Sequence, residues 1–143
     1  MIQRPRLLAI DDDQDFRKWL AHVLRSRFFV LEAADGCEGY SRAIKAVPDI
    51  ILLDQQMEGW DGVSTLQRMR QHPKLKYVPV LMLTADAHRE TVVEAIEAGV
   101  VDYVLKTTVS PPMLIDKLLA ALDRNARSNL RAAPREPQVS YAH

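Results

Sequence analysis

The chain has 143 residues, and its 19 Lys and Arg residues are balanced by 19 Asp and Glu residues. This length fits one domain with one core, and the balanced charge gives no indication of a nucleic-acid or membrane surface. The single cysteine, Cys37, excludes an internal disulfide and fits a reducing compartment. No stretch approaches the roughly 20 apolar residues of a membrane helix, and residues 1–6 contain no apolar signal core. We therefore expect a soluble cytoplasmic protein.

Five short apolar runs alternate with amphipathic stretches along the chain. The runs predict strands, and the stretches between them predict helices because their apolar residues recur three and four positions apart. Strands that alternate with helices form a parallel sheet with helices on both faces. We predict an α/β fold with a doubly wound, five-stranded parallel sheet of flavodoxin-like order 2-1-3-4-5. The strands are expected at residues 7–10, 28–31, 50–53, 78–83 and 102–105.

Residues that commonly cap helices precede four of the predicted helices and support their starting points. The fourth helix carries Val92, Val93 and Ile96 as its predicted buried residues, and we expect it to end at Gly99. The predicted caps are Asp13, Asp35, Asp61 and Ser110.

The last part of the chain differs in composition from the rest. It is rich in Arg, Ala, Pro, Ser and Asn, and it has no apolar periodicity. We therefore predict a single domain at residues 1–125, followed by a flexible tail or the start of a linker at residues 126–143.

Carboxylates directly follow the first and third predicted strands. Asp11 and Asp12 end the first run, and Asp54 ends the third. These strands are neighbours in the predicted order, and ligands bind such sheets in the crevice at the carboxyl ends of the strands. Acids in the first turn of a helix often act only as caps, and we expect that role for Asp13. Because carboxylates at one place repel one another without a cation, we predict a Mg²⁺ site, with Mn²⁺ as an alternative.

Two further strand ends carry polar side chains that would face the same crevice. Thr84 ends the fourth strand and Lys106 ends the fifth. Taken singly, each is typical of an ordinary solvated strand end. Together with the acids, however, they place a hydroxyl donor and a fixed cation beside a predicted metal site.

This combination resembles the receiver domain of two-component response regulators, with the chemotaxis-type fold, over approximately residues 6–125. The shared residues follow the family's order and spacing. They are the pair Asp11 and Asp12, the phosphoacceptor position Asp54, the turn at Asp61 and Gly62, and the strand-end residues Thr84 and Lys106.

The resemblance implies that Asp54 accepts a phosphoryl group from a histidine kinase or a histidine phosphotransfer protein. It also implies that Mg²⁺ is bound by Asp12, Asp54 and the backbone carbonyl of Gln56, with Asp11 acting largely through water. Thr84 and Lys106 would stabilise the phosphoryl group. A domain of this kind is a signalling switch rather than an enzyme, although it assists its own phosphotransfer and dephosphorylation.

The resemblance further implies a conformational switch. Movement of Thr84 and a rotamer change of Tyr103 would remodel the face built from the fourth helix, the fifth strand and the fifth helix. That face would bind a downstream protein target, serve an output domain missing from this chain, or form a homodimer. Residues Gln56 and Asp86 would modulate phosphoryl lifetime. We expect no direct contact with nucleic acid or membrane.

Two departures from the family pattern affect this interpretation. Glu58 stands where a proline is usual, and it adds a charge beside the predicted site. Thr107 stands where the family has a proline in a cis peptide. Since a cis bond without proline costs about 3 kcal/mol, we expect the loop after Lys106 to be strained or to run differently.

Two other functions fit parts of the sequence. A hydrolase of the haloacid dehalogenase type would use Asp11 as nucleophile and Asp13 as acid, but Asp15 stands where that family has Thr or Val and the chain has no room for a cap domain. A degenerate receiver that binds partners without phosphorylation is the third interpretation. Thr107 and Glu58 favour it, whereas the intact set of site residues argues against it.

Overall fold

The computed structural model describes residues 3–132, which form five strands and five helices in strict alternation. This alternation is the one predicted from the apolar runs. In chain order the elements are β1 (Arg6–Ile10), α1 (Gln14–Leu24), β2 (Phe29–Ala33), α2 (Gly36–Lys45), β3 (Ile50–Leu53), α3 (Gly62–Gln71), β4 (Val80–Thr84), α4 (Arg89–Glu97), β5 (Asp102–Leu105) and α5 (Pro111–Ala132).

The five strands form one parallel sheet in the order β2-β1-β3-β4-β5. This confirms the predicted doubly wound fold. Strands β1 and β3 are neighbours, and their last residues, Ile10 and Leu53, lie opposite each other in the pairing. The residues that follow these two strands therefore leave the sheet side by side.

The central strands β1, β3 and β4 are buried on both faces of the sheet, which explains why they are almost entirely apolar. Alternate residues contribute to two separate cores: Leu8 and Ile10 of β1 face one core, whereas Leu7 and Ala9 face the other. Helices α2, α3 and α4 cover the first core, and α1 and α5 cover the second. The polar strand ends are consequently confined to the edge where the strands terminate.

The predicted helix caps are confirmed. The carboxylates of Asp13, Asp35 and Asp61 each accept a hydrogen bond from a backbone N–H in the first turn of α1, α2 and α3, respectively. The hydroxyl of Ser110 accepts one from Met113 at the start of α5, at 3.3 Å. Each cap satisfies a donor that would otherwise have no partner within the helix.

The predicted buried face of α4 is wrong for two of its three residues, although Val92 is half-buried as expected. Val93 and Ile96 are 44% and 61% exposed, and Ala95 is the buried residue of this helix. The helix presents Ala95 and its neighbours one turn away, Val92 and Ala98, to the sheet, so Val93 and Ile96 point away from it. Three apolar residues at helical spacing fitted two faces, and the sequence alone did not distinguish them.

The fifth helix continues beyond the predicted end of the domain. Helix α5 extends to Ala132, so residues 126–132 are helical rather than a flexible tail. The prediction relied on apolar periodicity, which a helix does not need where it has left the core; an i,i+4 pair of Asp123 and Arg127, at 3.1 Å, supports this part instead. The rest of the predicted tail lies outside the described residues, and the division of the chain into domain and tail stays a prediction.

Within residues 3–132 no helix could span a bilayer: α5 has the necessary length but is too polar, and the other helices are too short.

Candidate functional site

An acidic cluster lies at the carboxyl ends of β1 and β3, where the sequence predicted it. Asp11, Asp12 and Asp54 each place a carboxylate oxygen within 4.8 Å of the others. Asp11 and Asp54 are buried, whereas Asp12 is exposed. Hard oxygen ligands at this spacing, with one open side, suit a divalent cation that retains several waters.

Backbone hydrogen bonds fix the two buried acids of the cluster. Asp54 extends the β1 to β3 pairing by one bond, because its N–H donates to the carbonyl of Ile10 at 3.0 Å. The N–H of Asp13 donates to Oδ1 of Asp11 at 2.9 Å, and the N–H of Gln56 lies 3.4 Å from Oδ1 of Asp54. Both carboxylates thus have defined orientations before any ligand binds.

Lys106 reaches the cluster from the end of β5. Its Nζ atom lies 2.8 Å from Oδ2 of Asp11 and 3.4 Å from Oδ2 of Asp54, and only 16% of the side chain is exposed. Burial alone would lower the pKa of Lys106, but the hydrogen bond to Asp11 and the charges of both acids outweigh burial and raise it. Lys106 is therefore a fixed cation at neutral pH.

The cluster retains excess negative charge despite this lysine. Burial is the largest cause that raises the pKa of Asp11, and the charge of Asp54 adds to it. The hydrogen bonds from Lys106 and from the backbone of Asp13 oppose the increase but do not cancel it. Three carboxylates thus share one ammonium group, and a divalent cation would offset the remaining negative charge.

Thr84 at the end of β4 and Tyr103 of β5 both form hydrogen bonds with the backbone of Asp86, in the loop between β4 and α4. Thr84 is fully buried, and its Oγ1 accepts a hydrogen bond from the N–H of Asp86 at 3.2 Å. The hydroxyl of Tyr103 donates to the carbonyl of Asp86 at 2.7 Å. Burial, followed by the charges of Asp86 and Asp54, raises the pKa of Tyr103 to about 12. Its hydroxyl therefore remains a hydrogen-bond donor at neutral pH.

The Asp86 carboxylate faces the start of α4. It accepts a hydrogen bond from the backbone N–H of His88 at 2.8 Å and lies 2.8 Å from the ring Nδ1 of the same residue. The backbone bond is the main cause that lowers the pKa of Asp86. Asp86 is thus ionised at neutral pH and holds the start of α4 near Thr84.

The loop after Asp54 folds back tightly against the strand end. The N–H of Gly62 donates to the carbonyl of Gln55 at 3.0 Å. A Cβ atom at Gly62 would lie 2.5 Å from the backbone oxygen of Asp54 and 2.6 Å from the Met82 side chain. Only glycine permits this close approach. Gln56, two residues after Asp54, is exposed, and its backbone carbonyl stays a predicted metal ligand.

The loop after Lys106 runs with a trans peptide. Residues 3–132 contain no cis bond, and the N–H of Thr108 donates to the carbonyl of Leu105 at 3.2 Å to form a turn. Of the two predicted outcomes, strain or a different course, the loop takes the second. Lys106 nevertheless reaches the acids, because its backbone N–H is fixed to the carbonyl of Thr84 at 2.9 Å.

Two site residues in the first turn of α1 were not predicted. Arg17 donates from Nη1 to the carbonyl of Asp11 at 2.6 Å and from Nε to Glu32 of β2 at 3.1 Å. The ring of Phe16 lies 4.2 Å from the Lys106 ammonium. The apolar pattern assigned Phe16 only to the helix stripe. No spacing signal marks Arg17, because its partners come from other elements.

Comparison with known proteins identifies the family. Residues 7–119 match the family model described as the response regulator receiver domain. The chain belongs to this receiver domain family. It is 34% identical over 121 residues to the chemotaxis protein CheY-3 of Vibrio cholerae, which covers 82% of this chain and 93% of CheY-3. The match supports a phosphoryl-accepting role in two-component signalling.

Some relatives of this receiver domain are longer proteins. The DNA-binding dual master transcriptional regulator RpaA of Synechocystis is 32% identical over 95% of this chain, but the match spans only 53% of RpaA. The receiver domain thus corresponds to nearly all of CheY-3 and to about half of RpaA.

Solved structures support the same fold. Chemotaxis protein CheY4 of Vibrio cholerae has a TM-score of 0.77 and 29% identity, with 82% of this chain and 98% of CheY4 covered. A CheY-like receiver domain protein from Methanospirillum hungatei has a TM-score of 0.82 over 88% of this chain and 99% of its own, at 24% identity. The second likeness concerns the fold alone.

Proposed function

We propose that Asp54 is the residue of this receiver domain that accepts the phosphoryl group. The donor is a histidine kinase or a histidine phosphotransfer protein. The observation that carries the proposal is the position of Asp54: a buried carboxylate beside two further acids, with the Lys106 ammonium 3.4 Å from its Oδ2. Such a site combines a nucleophile with groups that offset the charge of a phosphoryl donor.

The reaction is a substitution at phosphorus. A carboxylate oxygen of Asp54 forms the new P–O bond while the P–N bond to the donor imidazole breaks. The electron pair of that bond remains on the imidazole. An ionised carboxylate needs no general base for this attack, so the site must position the donor and stabilise negative charge. Hydrolysis of the resulting acyl phosphate returns the carboxylate and inorganic phosphate. Because this step only removes the domain's own phosphoryl group and ends its signal, we propose that the domain is a signalling switch rather than an enzyme.

The acidic cluster fits Mg²⁺, with Mn²⁺ as the alternative. Asp11, Asp12, Asp54 and the carbonyl of Gln56 supply only hard oxygen ligands, which these ions prefer. Burial raises the pKa of Asp11 and the charge of Asp54 adds to the increase, so a cation bound here would favour the ionised form of Asp11. When bound, the ion would neutralise charge on the phosphoryl oxygens.

The phosphoryl group would act on its surroundings through Thr84 and Tyr103. Phosphorylation adds negative charge and strong hydrogen-bond acceptors. The hydroxyl of Thr84 accepts a hydrogen bond from Asp86 and carries a proton of its own that it can donate. Movement of Thr84 would disturb the Asp86 backbone, to which Tyr103 is bonded. We propose that phosphorylation in this way biases two arrangements of the β4–α4 loop. Gln56 and Asp86 flank the site and would influence the lifetime of the acyl phosphate.

The output surface we propose is the face formed by α4, β5 and α5. Val93 and Ile96 of α4 and Val101 beside β5 are exposed apolar side chains there, at 44%, 61% and 37%. An apolar patch of this kind suits a protein partner, an attached output domain or a second copy of the chain. Binding to nucleic acid or membrane is not part of the proposal. A cytoplasmic location follows from the proposed kinase partner and the lack of an internal disulfide.

The hydrolase alternative is disfavoured by the role of Asp13, the acid that would have to protonate the leaving group. The carboxylate of Asp13 accepts a hydrogen bond from the N–H of Phe16 as a helix cap, so it is held as an acceptor rather than as a proton donor. The alternative of a receiver that is not phosphorylated is disfavoured because Asp11, Asp12, Asp54 and Lys106 lie together in one site, as phosphorylation requires.

The test is phosphorylation by acetyl phosphate, with Mg²⁺ and with EDTA, on the native chain and on Asp54→Asn. We expect incorporation of one phosphoryl group that requires the metal and is lost in the variant. Asp13→Asn is the matched control, because it removes a nearby exposed charge and preserves a capping side chain. Incorporation that persists in Asp54→Asn, or that is unaffected by EDTA, would exclude the proposed function.

A further inference from the structure

The ammonium group of Lys106 has an aromatic neighbour besides its two carboxylates. Its Nζ atom lies 4.2 Å from the centroid of the Phe16 ring. A cation within about 6 Å of a ring face is attracted to it, and the attraction increases when the cation is removed from water. Lys106 meets this condition, because its side chain is only 16% exposed. The ring is thus a direct contact of the charged group at the site.

Phe16 is itself held in place by its surroundings. Its backbone N–H donates to the capping carboxylate of Asp13 at 3.1 Å, which fixes the first turn of α1. Its ring packs against Trp19, with the two centroids 5.4 Å apart, and against the core under α1 and α5. A side chain fixed by a helix cap and by core packing is a preorganised support for a neighbouring group.

The other contacts of Lys106 depend on the state of the site. Asp11 and Asp54 also belong to the acidic cluster, so a divalent cation would compete with Lys106 for their oxygens. Phosphorylation would consume one oxygen of Asp54. The residue that follows the lysine, Thr107, is exposed and lies in a turn. The Phe16 ring is neither a metal ligand nor a phosphoryl acceptor, so it competes for none of these partners.

We propose that Phe16 is a positioning residue, whose ring face keeps the Lys106 ammonium directed at Asp54 while the carboxylates exchange partners. This inference rests on the proposed phosphoryl transfer to Asp54. A lysine side chain has several flexible bonds and strong hydration, so without the ring it would spend less time near the phosphoryl oxygens. Phe16 affects the reaction through Lys106 and does not itself touch the reacting atoms.

Two substitutions separate the ring from simple apolar packing. Phe16→Leu keeps an apolar side chain but removes the aromatic face, whereas Phe16→Tyr keeps the face. The strength of an attraction between a cation and a ring at a partly buried site corresponds to a rate effect of roughly three- to tenfold. We expect Phe16→Leu to reduce the rate of phosphorylation by acetyl phosphate at saturating Mg²⁺ by this factor. We expect Phe16→Tyr to retain most of the rate.

A double-mutant cycle with Lys106→Met tests whether the effect operates through the lysine. In the Lys106→Met background, the change Phe16→Leu should cause no further loss of rate, because the group that the ring positions is absent. Thermal unfolding of all variants measures packing separately. If Phe16 had only a structural role, Phe16→Leu would slow phosphorylation equally with Lys106 present and in Lys106→Met. If Phe16→Leu does not fold, Phe16→Met replaces it in the cycle.

The results have distinct consequences. A wild-type rate in Phe16→Leu, or an equal loss with and without Lys106, would overturn the positioning role and leave the acceptor role of Asp54 intact. Failure of the wild-type protein to incorporate phosphate at all, or incorporation in Asp54→Asn, would instead refute the proposed function. The inference would be supported if Phe16→Leu slowed phosphorylation only in the protein that retains Lys106, and if Phe16→Tyr kept most of the wild-type rate.

Discussion

Replacing Asp11 by Asn should stabilise the metal-free protein. Asp11 lies 2.8 Å from the Lys106 ammonium, an attraction of about 6 kcal/mol at an effective dielectric constant of about 20. The oxygens of Asp54 lie within 4.8 Å, which gives a repulsion of about 3.5 kcal/mol, and the exposed Asp12 adds about 1 kcal/mol or more. These charge interactions cancel to within about 2 kcal/mol, whereas burial of the carboxylate costs several kcal/mol. The raised pKa of Asp11 has the same physical origin.

We therefore expect Asp11→Asn to increase the free energy of unfolding by about 1–2 kcal/mol in EDTA at neutral pH, and the melting temperature by roughly 3–6 °C. The assay is urea and thermal unfolding followed by circular dichroism. Mg²⁺ at about 100 times its dissociation constant would stabilise the wild type by about 2.7 kcal/mol. Since Asp11→Asn has lost a ligand, the same Mg²⁺ concentration should stabilise it less. The difference in free energy of unfolding between the variant and the wild type should therefore become smaller or change sign.

Asp13→Asn is the control for this prediction, because it removes the same charge from the neighbouring helix cap. Its side chain is exposed and Asn caps a helix about as well as Asp, so its stability should change by less than about 0.5 kcal/mol. The reasoning would be refuted if Asp11→Asn were less stable than wild type in EDTA. An equal change in the free energy of unfolding for Asp11→Asn and Asp13→Asn would refute it as well.

Three further outcomes are expected. The raised pKa of Asp11 means that the folded protein binds a proton where the unfolded chain, with its ordinary value of 3.8, does not. Stability of the wild type relative to Asp11→Asn should therefore fall as pH rises from about 4 through the raised pKa, and urea unfolding across this range should reveal a growing difference. Gly62→Ala should cost about 1–3 kcal/mol by the same assay and weaken Mg²⁺ binding, because its Cβ would collide with the Asp54 carbonyl; an unchanged stability would contradict that contact. Tyr103→Phe should cost about 1 kcal/mol and remove, from an ultraviolet alkaline titration, the tyrosine whose pKa is about 12; persistence of that transition would show that it belongs to another residue.

The fold was predictable because its signals are local and repeated. The central strands β1, β3 and β4 are almost entirely apolar, since both faces of the sheet are buried there. Asp13, Asp35 and Asp61 cap the helices that follow β1, β2 and β3. The strand order then brings together acids that are distant in sequence. The convergence of Asp11 and Asp54 required no knowledge of side-chain packing.

The errors arose where tertiary packing decides the outcome. The face of α4 could be centred on Ala95 or on Ile96, and only contact with the sheet selects the first. The polar end of α5 has good helix formers but no apolar stripe, so a search for periodicity ends too early. Phe16 and Arg17 enter the site through contacts with Lys106 and Asp11, and these depend on the angle at which α1 leaves its cap.

The central claim is that Asp54 carries the phosphoryl group. Acetyl phosphate with Mg²⁺ would form the acyl phosphate, and borohydride reduction would convert the modified aspartate to homoserine, which peptide mass spectrometry locates. We predict homoserine at position 54 alone, dependent on Mg²⁺. Homoserine at position 11, or no modified aspartate at all, would contradict the account.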